Sequence, residues 1–173
     1  MQTFLPYPDF AASAAVLDNK RLNKQCLEAF QIYQRVAVFP DDETISYRNH
    51  PAVLMWRGYP DALRKYLWTM CEEYLIRTGN NHRCRLFGYT NTPTLPAWIG
   101  DQLFHLSHKV NLLRKDYDYY KNKINCSTQL LCAIITAPQG YYWPVEPVEK
   151  KGKQDHDAWL KWWNGWNFRD SYI

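Results

Sequence analysis

One stretch near the start of the chain alternates apolar and polar positions with the period of an α-helix. Residues 18–35, DNKRLNKQCLEAFQIYQR, contain neither Gly nor Pro, and Asp18 is a suitable N-cap. At roughly 100° per residue, one side carries the apolar positions Leu22, Cys26, Ala29, Tyr33 and Val36. Another side carries the polar positions Arg21, Lys24, Glu28, Gln31 and Arg35. The pattern predicts an amphipathic helix whose polar face holds a single carboxylate among cations.

This polar face permits two interpretations. Charged helix faces are usually solvated, and a pair such as Lys24 and Glu28 then contributes a few tenths of a kcal/mol. Alternatively, the face lines a cationic groove that attracts a phosphate backbone. Glu28 would then be available for proton transfer or charge stabilisation on the substrate. The helix pattern alone leaves both interpretations open.

The remaining pattern is also mainly helical. Periodicity and capping residues predict four further helical segments, at residues 11–17, 46–59, 61–77 and 101–116. Asn49 and Asp101 are the expected N-caps of the second and fourth segments. Residues 80–100 read as a loop, residues 129–136 as a helical turn or a buried strand, and residues 149–153 as a solvated hinge. The predicted fold is a mainly α, compact, single-domain helical fold with irregular loops.

Composition adds a basic and aromatic character to this picture. The chain has 173 residues, a length typical of one domain, and a formal net charge of +4, which permits nucleic-acid binding without requiring it. Aromatic residues make up 16% of the chain, which is more than a core of this size needs. Several lie in the tail, residues 157–173, together with Lys161. These rings either cap the core or form a surface that stacks on bases.

The chain offers little support for metal, nucleotide or triad chemistry. Its five cysteines are irregularly spaced without a CxxC pair, which favours reduced, buried thiols and an intracellular protein. His105 and His108 form an HxxH pair, but zinc sites more often use i,i+4 spacing with a nearby Glu. GxGxxG, P-loop and GxSxG motifs are absent from the sequence. We therefore expect neither a metal nor a cofactor.

Five strings occur in a recognisable order: MQTFLPYPDF, LDNKRLNKQCLEA, RNHPAVLMWRGY, FHLSHKVNLLRKD and YYWPVEP. Together they resemble the pyrimidine-dimer DNA glycosylase family of the endonuclease V type. The likeness covers roughly residues 1–146 and is greatest to the phage and bacterial branch whose members begin with a TFLPYPDF-like string. It implies a compact helical domain that binds duplex DNA carrying a cyclobutane pyrimidine dimer, bends the duplex and expels a base, without a metal.

The resemblance also implies catalytic residues. In the family, the free N-terminal amine attacks the sugar C1′ to form a Schiff base, and a Glu on the first long helix stabilises the sugar cation. By the spacing of the motif that Glu is Glu28. Gln2 is large enough to block removal of Met1, so the amine of Met1 would be the nucleophile. An α-amine titrates near pH 8 in general, so a useful fraction is neutral at pH 7.

The same resemblance suggests the DNA-binding face. Arg21 and Lys24 would contact phosphates, and the segment Asn49-His50-Pro51 with Trp56 and Arg57 resembles the second motif of the family. Our full set of expected DNA contacts is Arg21, Lys24, Arg48, Asn49, His50, Arg57, His105, His108, Arg114 and Lys161. The founding type has an Arg directly before its Glu, where this chain has Leu27. Arg21 or Arg48 would supply that missing contact.

The sequence therefore predicts a DNA repair glycosylase with abasic-site lyase activity on UV-induced pyrimidine dimers. Two alternatives stay open: a glycosylase for another damaged or modified base, motivated by Leu27, and a non-catalytic DNA-binding module. We expect a glycosylase-like domain at residues 1–148 and a basic, aromatic extension at residues 149–173 that packs on it. The segment MQTFLPYPDF lacks the features of a signal peptide. We expect a monomer without membrane contact, in the cytoplasm, including that of a virus-infected host cell.

Overall fold

The computed structural model describes residues 1–145, 147–148, 150–167 and 169, and within these residues the chain is helical without a β-strand. This confirms the mainly α prediction. A π-helical segment, Gln34–Val38, directly follows the second helix. In the described residues the α-helices are α1 (Phe10–Val16), α2 (Asn19–Tyr33), α3 (Pro51–Leu54), α4 (Pro60–Thr78), α5 (Gln102–Lys115), α6 (Tyr117–Tyr120), α7 (Thr128–Thr136) and α8 (Lys150–Gly165).

The N-caps predicted for α2 and α5 are confirmed. The side chains of Asp18 and Asp101 accept the backbone N–H groups three residues further on, at the starts of α2 and α5. The helix predicted at residues 46–59 is only the four-residue α3 in the structure, and its N-cap is His50, so the predictions of its length and of Asn49 were wrong. His50 Nδ1 accepts the N–H of Ala52 at 3.1 Å. Pro51 explains the shift, because a proline holds the preceding residue in the extended conformation of an N-cap.

Two further segments are helical in the structure. The pattern of the first fitted either a helix or a strand, and the second is rich in charged residues. Residues 129–136 belong to α7, which begins after the Ser127 cap and settles the choice between helix and strand. The predicted hinge at residues 149–153 was wrong, because α8 starts at Lys150. A Cβ at Gly152 would lie 2.7 Å from Pro147 Cβ and 2.9 Å from Pro51 Cγ. The glycine thus lets the start of α8 approach α3 closely, which a run of charged residues does not reveal.

The extended N-terminal segment passes through the interior and is held by side chains of other elements. Thr3 and Leu5 have no exposed surface. The indole N–H of Trp56 donates to Thr3 Oγ1 at 3.1 Å, and His105 Nδ1 bonds the carbonyl of Leu5 at 2.7 Å. Trp56 itself is fully buried, so it lies in the core and not at the expected DNA face. The path of the first residues is therefore fixed up to Met1, which packs against the core.

The aromatic tail caps the core. Trp159 is fully buried and Trp166 is 8% exposed. His156 Nδ1 bonds the carbonyl of Trp143 at 2.6 Å, and the indole N–H of Trp162 donates to Thr136 Oγ1 at 3.2 Å. These contacts favour the core interpretation of the tail over a free stacking surface. The last part of the predicted tail, residues 168 and 170–173, lies outside the described residues.

None of the helices in the described ranges combines the length and the apolar character needed to cross a membrane.

Candidate active site

The N-terminal segment and α2 bring the two expected catalytic groups to one place. The backbone N–H of Gln2 donates to Glu28 Oε2 at 3.2 Å, so the carboxylate lies one peptide unit from the α-amine of Met1. The partners are 26 positions apart in sequence. The sequence pattern shows Glu28 as the single carboxylate on its helix face, and the fold brings the chain terminus next to it.

Gln25 positions both groups, a role that we did not predict from the sequence. Its side-chain amide donates to the carbonyl of Gln2 at 2.9 Å and to Glu28 Oε2 at 3.3 Å. Its carbonyl oxygen accepts the N–H of Phe4 at 2.8 Å and the hydroxyl of Tyr66 at 2.6 Å. Gln25 is fully buried. A signal was present, because a glutamine on the apolar side of an amphipathic helix needs such partners to be buried without cost.

Glu28 opens into a cationic cleft of about 350 Å³, which we call the Glu28 cleft. The nearest charge is Lys24 Nζ, 3.7 Å from Glu28 Oε1, and the Lys24 side chain is 69% exposed. Lys20 and Lys115 line the cleft although the expected DNA contacts did not include them. Its lining residues are Met1, Gln2, Phe4, Lys20, Arg21, Lys24, Glu28, Lys115 and Tyr141.

Arg21 is held at the wall of the Glu28 cleft. Its guanidinium pairs with Asp18 at 2.5 Å and lies over the ring of Tyr120, 5.5 Å from the ring centre. The Tyr120 hydroxyl also donates to Asp18, at 2.6 Å. Burial opposes the charge of Asp18, but the hydrogen bonds from Tyr120 and Arg21 outweigh it and lower the pKa of that carboxyl. The cation at the wall is thus fixed in position by a charged cap residue.

Met1 also borders a second cleft, of about 390 Å³, on the side of α3. His50 lies there, and burial together with the positive Met1 amine lowers the pKa of its imidazole to about 4. The ring is therefore neutral at pH 7. Since Nδ1 accepts the N–H of Ala52, the proton resides on Nε2. The terminal amine thus has a carboxylate on one side and a neutral imidazole on the other.

Tyr141 lines both clefts. Burial, with a smaller contribution from the charge of Glu28, raises the pKa of its phenol. The hydroxyl therefore stays protonated at neutral pH and can donate a hydrogen bond. This position of Tyr141 was not predictable from the sequence, since only the fold places residues 140–143 beside the N-terminus.

Three of the expected DNA contacts form a group next to His50. Arg48 pairs with Glu43 at 3.2 Å, Arg57 donates to the carbonyl of Arg48 at 2.9 Å, and the side chain of Asn49 is exposed. Lys161 is exposed on α8. Arg21 and Lys24 lie on the other side of Met1, so the fold places cations on both sides of the chain terminus.

Of the other three expected DNA contacts, His105 and His108 lie inside the protein and Arg114 is half-buried. His105 and His108 are 5% and 0% exposed. His105 uses both ring nitrogens, with the Leu5 carbonyl and the Gly100 N–H as partners. The Arg114 guanidinium donates to three backbone carbonyls at the end of α7, those of Ile134, Ala137 and Pro138. We therefore no longer expect direct DNA contacts from these residues.

The family model described as pyrimidine dimer DNA glycosylase matches residues 1–87, which include Met1, Gln25, Glu28 and the segment around His50. Neither the search of curated proteins nor the search of solved structures found a match.

Proposed function

Because this chain belongs to the pyrimidine dimer DNA glycosylase family, we propose that it excises UV-damaged pyrimidines from duplex DNA and cleaves the strand at the resulting site. The nucleophile in this proposal is the α-amine of Met1, and Glu28 is the catalytic carboxylate. One observation carries the assignment: Gln25 and Glu28 together hold the backbone of Gln2, so the terminal amine and the carboxylate share one cleft.

The proposed chemistry begins with the neutral amine. Its lone pair forms a bond to the sugar C1′ while the bond from C1′ to the base breaks, and the bonding electrons leave with the base. Positive charge develops on the sugar, and the Glu28 carboxylate stabilises it, as carboxylates do in glycoside hydrolysis. Loss of an amine proton and opening of the sugar ring give the Schiff base. Removal of a C2′ proton then expels the 3′ phosphate by β-elimination.

The neutral imidazole of His50 suits a supporting role in the first step. With its proton on Nε2, the ring can donate a hydrogen bond to a sugar oxygen, which leaves the lone pair of the neutral amine free to attack. It adds no positive charge beside the attacking nitrogen. We assign His50 to positioning the sugar beside the amine, a role that the N-cap hydrogen bond from the Ala52 N–H supports by fixing the ring.

The cations around the Glu28 cleft suit a DNA backbone. Lys20, Lys24 and Lys115 supply mobile charges, and Arg21 supplies a fixed one. Phosphate contacts of this kind position a duplex without reading its sequence. Arg48, Asn49 and Arg57 would continue this binding surface past Met1.

A second candidate function is excision of a different damaged or modified base. It rests on Leu27, which lines a separate cleft of about 650 Å³ with Lys20, Asn23, Lys24 and Tyr74. The founding family type has an arginine at this position, so this chain presents an apolar contact where the founding type presents a charge. Such an exchange alters lesion recognition more directly than it alters the chemistry at Met1.

Borohydride trapping tests the proposal. The protein is incubated with a duplex carrying one thymine dimer, or with an abasic duplex, and the reduced adduct is mapped by peptide mass. We expect an adduct on the amine of Met1 with both duplexes. An adduct with the abasic duplex alone would favour the second candidate function, with modified bases as the next substrates. An adduct on Lys20 or Lys24 would move the nucleophile, and absence of any adduct would refute the Schiff-base chemistry.

A further inference from the structure

A cluster of sulfur and imidazole groups lies on the core side of α2, apart from the Glu28 cleft. The Sγ atoms of Cys26 on α2 and Cys71 on α4 and a ring nitrogen of His82 all lie within 4.8 Å of one another. Cys26 and Cys71 are fully buried, and His82 is 8% exposed. The chemistry proposed at Met1 uses none of them.

A third thiol lies beside these three groups. Cys84 is 5% exposed, and its backbone N–H donates to His82 Nδ1 at 3.1 Å. A hydrogen bond with Cys71, burial and the nearby Cys84 thiol raise the pKa of Cys26. Burial and the Cys71 thiol likewise raise the pKa of Cys84. We refer to the four residues as the thiol cluster: Cys26, Cys71, His82 and Cys84.

The donor set and its dimensions suit a zinc ion. Three thiolates and one imidazole form one of the standard tetrahedral combinations of structural zinc sites, which leave no coordination position open. With zinc–sulfur bonds of about 2.3 Å, ligand atoms of a tetrahedral site lie about 3.7 Å apart. The ligand atoms of Cys26, Cys71 and His82 lie within 4.8 Å of one another, a separation that small side-chain rotations can close. The Cys84 thiol lies outside this distance, so its side chain would have to turn toward the other three to become the fourth ligand. Soft thiolate ligands also disfavour magnesium and calcium.

His82 is oriented as metal-bound histidines are. Its Nε2 lies 3.2 Å from Asn23 Oδ1, and since the amide oxygen only accepts, Nε2 carries the proton. The lone pair is therefore on Nδ1, where it accepts the backbone N–H of Cys84, and a zinc ion would take the place of that hydrogen bond. An outer hydrogen bond on the opposite ring nitrogen is the usual support of a ligating imidazole. His82 and Asn23 also line the surface cleft of about 650 Å³, which provides an entry path to the buried thiols.

We propose that the thiol cluster binds one zinc ion, which ties the loop after α4 to α2 and α4. Zinc replaces the protons of three thiols, which pass to solvent, so the loaded site carries one net negative charge and binds more weakly in acid. The ion would also fix Arg83, which lies between His82 and Cys84 in sequence. Arg83 lines the same cleft as Lys20 and Lys24, so the site would stabilise part of the cationic surface.

The test is metal binding by the full chain. The reduced protein is stripped with a chelator and titrated with zinc, and separately with cobalt(II) as a spectroscopic probe. We expect one ion per chain and the visible absorption of tetrahedral, thiolate-bound cobalt. His82→Ala and Cys71→Ser should weaken zinc binding by more than the roughly 10- to 100-fold that loss of an outer-shell partner costs. Asn23→Ala should weaken zinc binding by only about 10- to 100-fold, because Asn23 is an outer-shell partner.

Cys132→Ser is the matched control, because Cys132 is a free thiol on α7 outside the thiol cluster. It should bind zinc as the wild type does. Failure of the wild type to bind one equivalent, or equal losses in Cys132→Ser and His82→Ala, would overturn the proposal. A Cys26–Cys71 disulfide found by mass in the protein as purified, before reduction, would also overturn it. If Cys71→Ser does not fold, His82→Ala and Asn23→Ala decide, because both positions border the surface cleft.

Discussion

Helices α2 and α5 carry their polar residues in similar sequence patterns but use them in opposite ways. On α2, Glu28 and Lys24 point into an open cleft beside the chain terminus. On α5, His105 and His108 lie inside the protein, and His108 packs against the rings of Phe4, Phe104 and Tyr141. The difference arises because α2 has solvent on one side, whereas residues 103–108 and 110–113 of α5 are all buried. A polar side chain therefore indicates a site only where the fold leaves it a cleft.

Glu28→Gln should have the largest effect. The amide keeps the shape of the side chain but loses the charge that would stabilise the developing sugar cation. We expect at least about a 100-fold loss in the rate of strand cleavage, the lower end of what such charged groups contribute. DNA affinity should be kept, since a negative charge leaves the binding surface. Single-turnover cleavage and equilibrium binding to the same dimer duplex separate the two quantities.

The matched control for Glu28→Gln is Asp118→Asn, which removes an exposed carboxylate far along the chain in α6. It should leave the cleavage rate unchanged. Wild-type cleavage by Glu28→Gln would remove Glu28 from the chemistry and leave α2 as an ordinary solvated helix face. The polar residues of α2 would then mark no active site, and the contrast between α2 and α5 would not hold.

Gln25→Leu should have the next largest effect. Leucine removes the bonds that hold Gln2, Phe4 and Glu28, and leaves buried backbone groups without partners. We expect the free energy of unfolding to fall by about 2–4 kcal/mol, and cleavage to slow because the amine is no longer held beside the carboxylate. Urea unfolding and single-turnover cleavage measure both. Gln31→Leu, on the same helix, should change neither by a comparable amount.

Local periodicity and capping were enough to predict α2, its N-cap and the isolation of Glu28, because these depend on neighbouring residues alone. The proximity of His50 to Met1 and the four-way bonding of Gln25 were not predictable, because they depend on which segments pack together. The buried state of α5 did leave a signal. Its histidines lie among Leu103, Phe104, Leu106, Val110 and other apolar residues distributed around the helix, a composition typical of a central helix.

The hinge prediction failed for a related reason. A run of charged residues around Gly152 suggested solvent, but the small size of glycine allows the helix to pack against Pro51 and Pro147. The thiol cluster was equally hidden. Its four residues come from two helices and a loop, so no local spacing rule for metal ligands applies to them. Long-range packing supplied the parts of the site that the sequence pattern left open.

His108→Leu should have a moderate, pH-dependent effect. Burial keeps the pKa of His108 well below its usual value, so the folded state stays unprotonated there while the unfolded state gains a proton below about pH 6.5. Wild-type stability must therefore fall as the pH falls through that value. By linkage the loss from this residue reaches about 2 kcal/mol at pH 5. The variant should lack this loss.

Urea unfolding of the wild type and of His108→Leu at pH 7.5 and pH 5 measures how the free energy of unfolding of each protein changes with pH. At pH 7.5 the variant should be at least as stable as the wild type, since neither ring nitrogen of His108 has a hydrogen-bond partner among the described residues. DNA affinity should not change. If His108→Leu folds but binds DNA more weakly, α5 would belong to the DNA-binding surface. That result would contradict the contrast between α2 and α5.

Lys24→Met should have the smallest effect, and it tests the open side of α2. Lys24 is largely exposed and its pair with Glu28 is long, so stability should hardly change. If Lys24 contacts a phosphate, the slope of log affinity against log salt should become less steep by about 0.9. Lys123→Met, on the exposed turn after α6, is the control and should keep the wild-type slope. Equal slopes for wild type and Lys24→Met would place the duplex elsewhere, because a cleft lysine that releases no counterion does not contact the DNA backbone.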